Sequence, residues 1–155
     1  MPSQDNAPSS HRLLSYADAI AELWQDFLLL VGRVMIGWIY FQSGWGKLFN
    51  IAGVGKTFPR RGLPEWLAYI SVPSEFFGGL FLLLGFATRY TTIVMLIFTI
   101  VAAFSSHDYW NSPEAQRVNQ ETHFWKNVSI MGGIIVLFVR AAGRLSIDNW
   151  LRTRR

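Results

Sequence analysis

Four long apolar runs dominate the chain, over residues 27–49, 66–86, 90–106 and 124–142. Each approaches the roughly 20 residues needed to cross a bilayer as a helix. The runs are continuous rather than alternating, and they are too long for the strands of a membrane barrel, so helices are predicted. The second and third are separated only by a short Ala-Thr-Arg segment, which predicts a tight helical hairpin.

Ahead of the first run, Leu13, Ala17, Ile20, Ala21, Trp24 and Phe27 recur at helical spacing, with Asp18, Glu22 and Asp26 elsewhere around the wheel. That pattern predicts an amphipathic helix on the membrane surface, leading into the first span. The expected fold class is therefore all-α: an integral membrane four-helix bundle with an amphipathic N-terminal interfacial helix. Residues 1–12 are expected to form a disordered tail, 13–150 a single membrane domain and 151–155 a basic C-terminal tail. The polar opening MPSQDNAPSS shows no secretory leader.

Composition sharpens this picture. Of the 155 residues, 51% are hydrophobic and 15% charged, against about 25% charged in ordinary soluble domains. The net charge of +4 does not point to nucleic acid, because the arginines flank apolar runs and cluster at the C-terminus. They read as topology signals and contacts to membrane lipid headgroups. Arg12, Arg89, Arg140, Arg144, Arg152, Arg154 and Arg155 fall on the side shared by both termini. By the positive-inside bias, both termini are expected to be cytoplasmic. The chain has no cysteine, which removes thiolate chemistry and cysteine-ligated clusters.

Ionisable groups inside spans are costly and are the first places to look for function. Glu75 lies near the middle of the second run and Arg33 in the first. At about 1.5 Å per residue their depths differ by roughly 7 Å, so an Arg33–Glu75 pair is predicted. Such a pair either fixes how two helices dock or presents a proton-active carboxylate to a ligand pocket.

The stretch FQSGWGKLFN ends the first run. It is no phosphate loop, since Phe41 and Leu48 stand where a glycine and a hydroxyl are required. Ser43 and Lys47 share a helix face, with Gln42 beside them, Trp45 as an interfacial anchor, and Gly44 and Gly46 admitting a close neighbour. The same side of the membrane receives His107, Asp108, Tyr109 and Trp110 from the third run, and His123, Trp125, Lys126 and Asn127 from the fourth. These residues form either an aromatic belt with polar caps or the mouth of a site for an amphipathic ligand. A quinone suits the second reading: Glu75 and His107 as proton-active groups, with Arg33, Gln42, Lys47, Lys126, Asn127, Trp45 and Trp110 as binding residues. His107, His123 and Asp108 make an unspecific metal trio without close ligand spacing, so no metal is expected. No flavin motif is present.

A weak repeat links EFFGGLFLLLGFATR to SIMGGIIVLFVRAAGR, read either as close helix packing or as a parallel internal duplication.

These motifs together resemble the DoxX/DoxD-type family of integral membrane proteins. The carriers are Arg33 followed by SGWGKLF, then EFFGGLFLLLGFATR from Glu75 to Arg89, Lys126-Asn127, and GRLSID from Gly143 to Asp148. The resemblance covers about residues 28–148, with Ser43 standing where many members carry histidine and His107 as its candidate substitute. It implies a four-helix bundle in the cytoplasmic membrane of a bacterium or archaeon. It also implies association with redox systems handling sulfur compounds or oxidative stress, with a redox partner protein and a homo-oligomeric state as further expectations. The leading function is a membrane subunit of a quinone-linked oxidoreductase, binding the quinone or docking its partner. A non-catalytic scaffold for a soluble partner and a small proton-coupled transporter are the alternatives.

Overall fold

The computed structural model describes residues 9–154, with side chains from residue 15 onward. Six α-helices follow in order: α1 (Ser9–Leu48), α2 (Ile51–Gly55), α3 (Ala68–Leu84), α4 (Thr88–Ser106), α5 (Glu114–Arg140) and α6 (Ile147–Thr153). Two short 3₁₀ turns, Pro59–Arg61 and Glu65–Leu67, lie between α2 and α3. The four long helices α1, α3, α4 and α5 make the bundle. Helical segments Glu65–Leu84, Thr88–Ser106 and Glu114–Arg140 are each long and apolar enough to cross a membrane. The predicted first span forms the second half of α1.

Two features extend beyond the sequence prediction. The amphipathic segment is not a separate surface helix. It is the front of one 40-residue helix, about 60 Å long at the standard rise, in which Ile20, Leu23 and Trp24 stand exposed. The stretch read as a loop before the fourth run is helical from Glu114 onward, so α5 starts well before its apolar part. Most of the tail expected over 1–12 lies outside the described residues, and the expected C-terminal tail begins inside α6.

Small residues set the packing of α1 on α3. A Cβ at Gly44 would sit 2.6 Å from the Phe76 backbone nitrogen, one at Gly37 would sit 3.0 Å from the Gly79 carbonyl oxygen, and one at Gly79 would overlap the backbone of Phe41. Backbone therefore meets backbone, the close approach that glycine permits between membrane helices. Gly78 turns the other way, against Met95 of α4. The second glycine pair does not reproduce this: Gly133 meets only Ile36, and Gly132 and Gly46 face open space. Close packing, rather than duplication, accounts for the first pair. Tyr40, Leu82, Met95 and Ile134 form the core. Outside it, Val34, Met35 and Trp38 of α1, Ile93, Val94 and Ile97 of α4, and Ile135, Val136 and Val139 of α5 are exposed. Apolar surface on this scale faces lipid rather than water.

The α3–α4 hairpin is built from recognisable parts. Gly85 takes φ 63°, its N–H reaches the Leu82 carbonyl at 3.2 Å and the Phe86 N–H reaches the Phe81 carbonyl at 2.9 Å. This is the paired bonding that closes a helix on a left-handed glycine. The first turn of α4 is then capped from far along the chain: the Asp148 carboxylate accepts from the N–H groups of Ala87 at 2.7 Å and Thr88 at 2.8 Å. Asp148→Ala removes this cap. It is expected to cost about 1–2 kcal/mol, as other helix caps do, visible as a lowered unfolding midpoint in mild detergent, with Asp148→Asn less affected.

Arg33 belongs to this same end of the molecule. It is 1% exposed, and its guanidinium donates to the Ala142 carbonyl at 2.7 Å and the Leu145 carbonyl at 2.8 Å. The predicted Arg33–Glu75 pair is not formed. Arg33 lies level with Gly85, against which its guanidinium packs, and Glu75 is ten residues earlier on α3, about 15 Å away along the axis. The depth estimate failed because the segment after α5 folds back over the bundle end and offers bare carbonyls within reach of Arg33.

Candidate functional site

At the opposite end of the bundle, the end of the 49–67 and 107–113 connections, Glu75 finds a different partner. The Gly44–Phe76 contact fixes the register of α1 on α3 one turn short of Lys47. Lys47 Nζ donates to both carboxylate oxygens of Glu75, at 2.9 and 2.7 Å. The pair is asymmetric: the Glu75 side chain is 8% exposed and that of Lys47 is 41% exposed. Lys47 lies over a buried carboxylate, with its own stem reaching toward the rim. Gly79, one turn after Glu75, admits α1 close enough for this burial.

The pair forms part of the wall of an open cavity of about 820 Å³ lined by all four long helices and the 49–67 connection. Val72 and Phe98 supply apolar lining, Ile39 and Ile97 stand at its open side, and Tyr40 and Thr99 are buried in its wall. Thr99 donates to the Met95 carbonyl at 2.5 Å, so the Tyr40 hydroxyl donates to Thr99 Oγ1, also at 2.5 Å. Polar groups collect toward the mouth. His107 Nδ1 bonds Gln120 Oε1 at 2.8 Å, Arg61 donates to Ser106 Oγ at 3.0 Å, and Lys126 Nζ lies 2.9 Å from His123 Nδ1. The cavity thus grades from apolar wall to polar rim, the usual constitution of a small-molecule site, and its volume falls in the usual range of about 300–1,000 Å³.

Of the residues singled out in the sequence, Glu75, Lys47, His107, Lys126 and Asn127 meet on this cavity. Ser43 also lines it. Arg33 is at the far end. Gln42 is exposed and does not line the cavity. Trp45 packs on Phe41, Phe49 and Phe76, and Trp110 on Phe104, Tyr109 and Phe124, both outside the lining. His107 and His123 stack with ring centres 5.0 Å apart, while Asp108 accepts from Asn111 at 3.3 Å. Among the described residues no three His, Asp or Glu side chains converge as a metal centre.

Sequence reasoning missed Tyr40, Arg61, Thr99 and Gln120. A signal existed for Gln120: with His123 and Asn127 it follows helical spacing on one face, legible once α5 is started at Glu114. Arg61 carried none, since only the folding of the 49–67 connection brings it over the cavity.

Comparison with known proteins agrees with the fold. A family model described as DoxX matches residues 28–108. The chain is 33% identical over 130 residues to the inner membrane protein YqjF of Escherichia coli (strain K12), covering 84% of this chain and 96% of that protein. It is 29% identical over 124 residues to the inner membrane protein YphA of the same organism, covering 79% of this chain and 89% of that one. A 74-residue match at 32% identity, 48% of this chain and 54% of the other, links it to CatD of Bacillus subtilis (strain 168), whose name gives a provisional assignment as an oxidoreductase. No solved structure matches.

Proposed function

The chain belongs to the DoxX family of membrane proteins, and from that premise we propose that it is the quinone-binding membrane subunit of an oxidoreductase system. The observation that carries the proposal is the Lys47–Glu75 pair, its carboxylate buried and its ammonium half-exposed, in the wall of a large, mostly apolar cavity bounded by all four long helices. A structural ion pair needs no such space beside it. In this reading the quinone ring lies against the apolar lining, with one oxygen at Lys47 and the other at His107.

Conversion of quinone to quinol takes two electrons and two protons. Protons are the part this chain addresses. Lys47 is a hydrogen-bond donor to a carbonyl oxygen, His107, whose Nδ1 donates to Gln120 Oε1, offers Nε2 as acceptor to a quinol hydroxyl, and Glu75 exchanges protons with Lys47 through a bond already made. The electrons come from a partner oxidoreductase that carries its own redox centre. The provisional oxidoreductase name of CatD supports this class of reaction. With the arginine-rich hairpin end toward the cytoplasm, by the positive-inside bias, both termini are cytoplasmic and the cavity mouth faces the other side.

The test is mass spectrometry of small molecules retained by protein purified in mild detergent. Native protein is expected to carry near-stoichiometric quinone and Glu75→Gln to carry at least tenfold less. Equal quinone in both, or none in either, refutes the assignment.

A further inference from the structure

A second cleft, of about 420 Å³, opens at the hairpin end. It lies where the start of α4 meets α6 and the end of α5, and the function proposed above makes no use of it. Its distinguishing feature is what its arginines lack. At this end Arg140 donates to Gln25 at 3.1 Å, Arg144 lies 3.9 Å from the Asp26 carboxylate, and Arg154 stacks over Trp150 at 4.0 Å. The side chains of Arg89 and Arg152 have no hydrogen bond or ion pair among the described residues, and both line this one cleft from different helices.

The cleft also contains a carboxylate, Asp148. Both of its oxygens are engaged by the Ala87 and Thr88 N–H groups, so it is committed to the α4 cap. Two guanidiniums against one carboxylate leave a single cation in excess. At the base, Thr88 is fully buried and its hydroxyl has no protein partner. The remaining wall is apolar: Ile93 and Phe138 continue from the cleft onto the outer surfaces of α4 and α5. A cationic notch thus sits beside exposed apolar surface of α4 and α5, at the ends of helices long and apolar enough to cross a membrane.

We propose that this cleft binds the phosphodiester of an anionic phospholipid, with Arg89 and Arg152 on the phosphate oxygens and an acyl chain along Ile93 and Phe138. Guanidinium groups suit phosphate because they offer planar pairs of donors. The uncompensated cation favours a headgroup without an ammonium. Free phosphate shares the headgroup chemistry but gains nothing from the apolar surface.

The experiment is native mass spectrometry of delipidated protein in detergent, titrated separately with phosphatidylglycerol, phosphatidylcholine and inorganic phosphate. Phosphatidylglycerol is expected to form a one-to-one adduct at least tenfold more tightly than phosphatidylcholine. The Arg89→Gln/Arg152→Gln variant is expected to lose that preference. An Arg60→Gln/Arg117→Gln variant, which removes the same charge at the other end from exposed positions, is expected to keep it. Both variants alter exposed side chains, and an unfolding midpoint checks that each is intact. Equal loss in the two variants makes the attraction diffuse and overturns the site. Equal binding of inorganic phosphate overturns the lipid assignment, and undiminished preference in Arg89→Gln/Arg152→Gln overturns the proposal as a whole.

Discussion

Arg33→Met is expected to destabilise the protein by about 3–5 kcal/mol. The estimate counts two hydrogen bonds from a charged donor, worth roughly 1.5–3 kcal/mol each. The carbonyls of Ala142 and Leu145 lose their donor in a region where Ala142 is 2% exposed. The lost groups also hold a segment that needs holding: Ala141 takes φ 60° and ψ −163°, a backbone state that L-residues adopt only when their surroundings impose it. Without Arg33 the segment after α5 loses its anchor, and Asp148, which caps α4, is carried on the far side of it. Arg33→Lys is expected to recover less than half the loss, because an ammonium on a shorter reach cannot serve both carbonyls as the planar guanidinium does. Tryptophan fluorescence during denaturation in mild detergent reads the effect. An unfolding midpoint within error of the native protein would contradict this account of the bundle end.

The second large effect is an asymmetry. Lys47 and Glu75 share the same two hydrogen bonds, yet their single substitutions are expected to cost different amounts. Lys47→Met leaves a buried carboxylate without its cation, which costs about 3–5 kcal/mol when one partner of a buried pair is removed. Glu75→Gln leaves Lys47, whose side chain is 41% exposed and can turn to the rim for solvation, so roughly 1 kcal/mol is expected. The double variant Lys47→Met/Glu75→Gln removes both charges together. It is expected to recover at least half of the Lys47→Met loss, because no unpaired charge is left buried, with the remainder due to the buried Gln amide that has lost its partner. On the proposed function it should nonetheless fail to retain quinone, because the Lys47 donor to the ring oxygen is gone. This separates stability from binding. Additive single losses in the double variant would show that the two residues act independently. Retained quinone would show that the pair is structural.

Much of the organisation was legible because the membrane simplifies the problem. Where backbone polar groups must be satisfied internally, a long apolar run has little choice but to be a helix. The hairpin between α3 and α4 followed from the brevity of the Ala-Thr-Arg break. Glu75, Lys47, His107, Lys126 and Asn127 were recognisable because polar groups at span centres and span ends are costly to keep there without a use.

The errors share a cause. Arg33 was assigned to Glu75 by depth alone, and depth says nothing about competing acceptors. The carbonyls of Ala142 and Leu145 exist as acceptors only because the chain leaves the helix after Arg140 and folds back under Gly85. Gln42 and Trp45 were placed at the site by nearness in sequence, but a helix turns neighbouring residues to different faces; Trp110 lies in the connection between α4 and α5 and packs on Phe104, Tyr109 and Phe124 instead. Gln120 and Arg61 were hidden inside segments read as loops.

By itself, then, the sequence determined that the chain is helical, that it belongs in a membrane, and which charged residues would need partners there. Hydrophobic periodicity and desolvation cost are properties of local stretches, and they act before any fold exists. Only the tertiary structure decided which partner each charge received and that a cavity lies beside one of the pairs. Those outcomes depend on the register at which α1 meets α3 through Gly37, Gly44 and Gly79, and on a returning C-terminal segment. Both are contacts between residues far apart in the chain, set by shape rather than by local pattern.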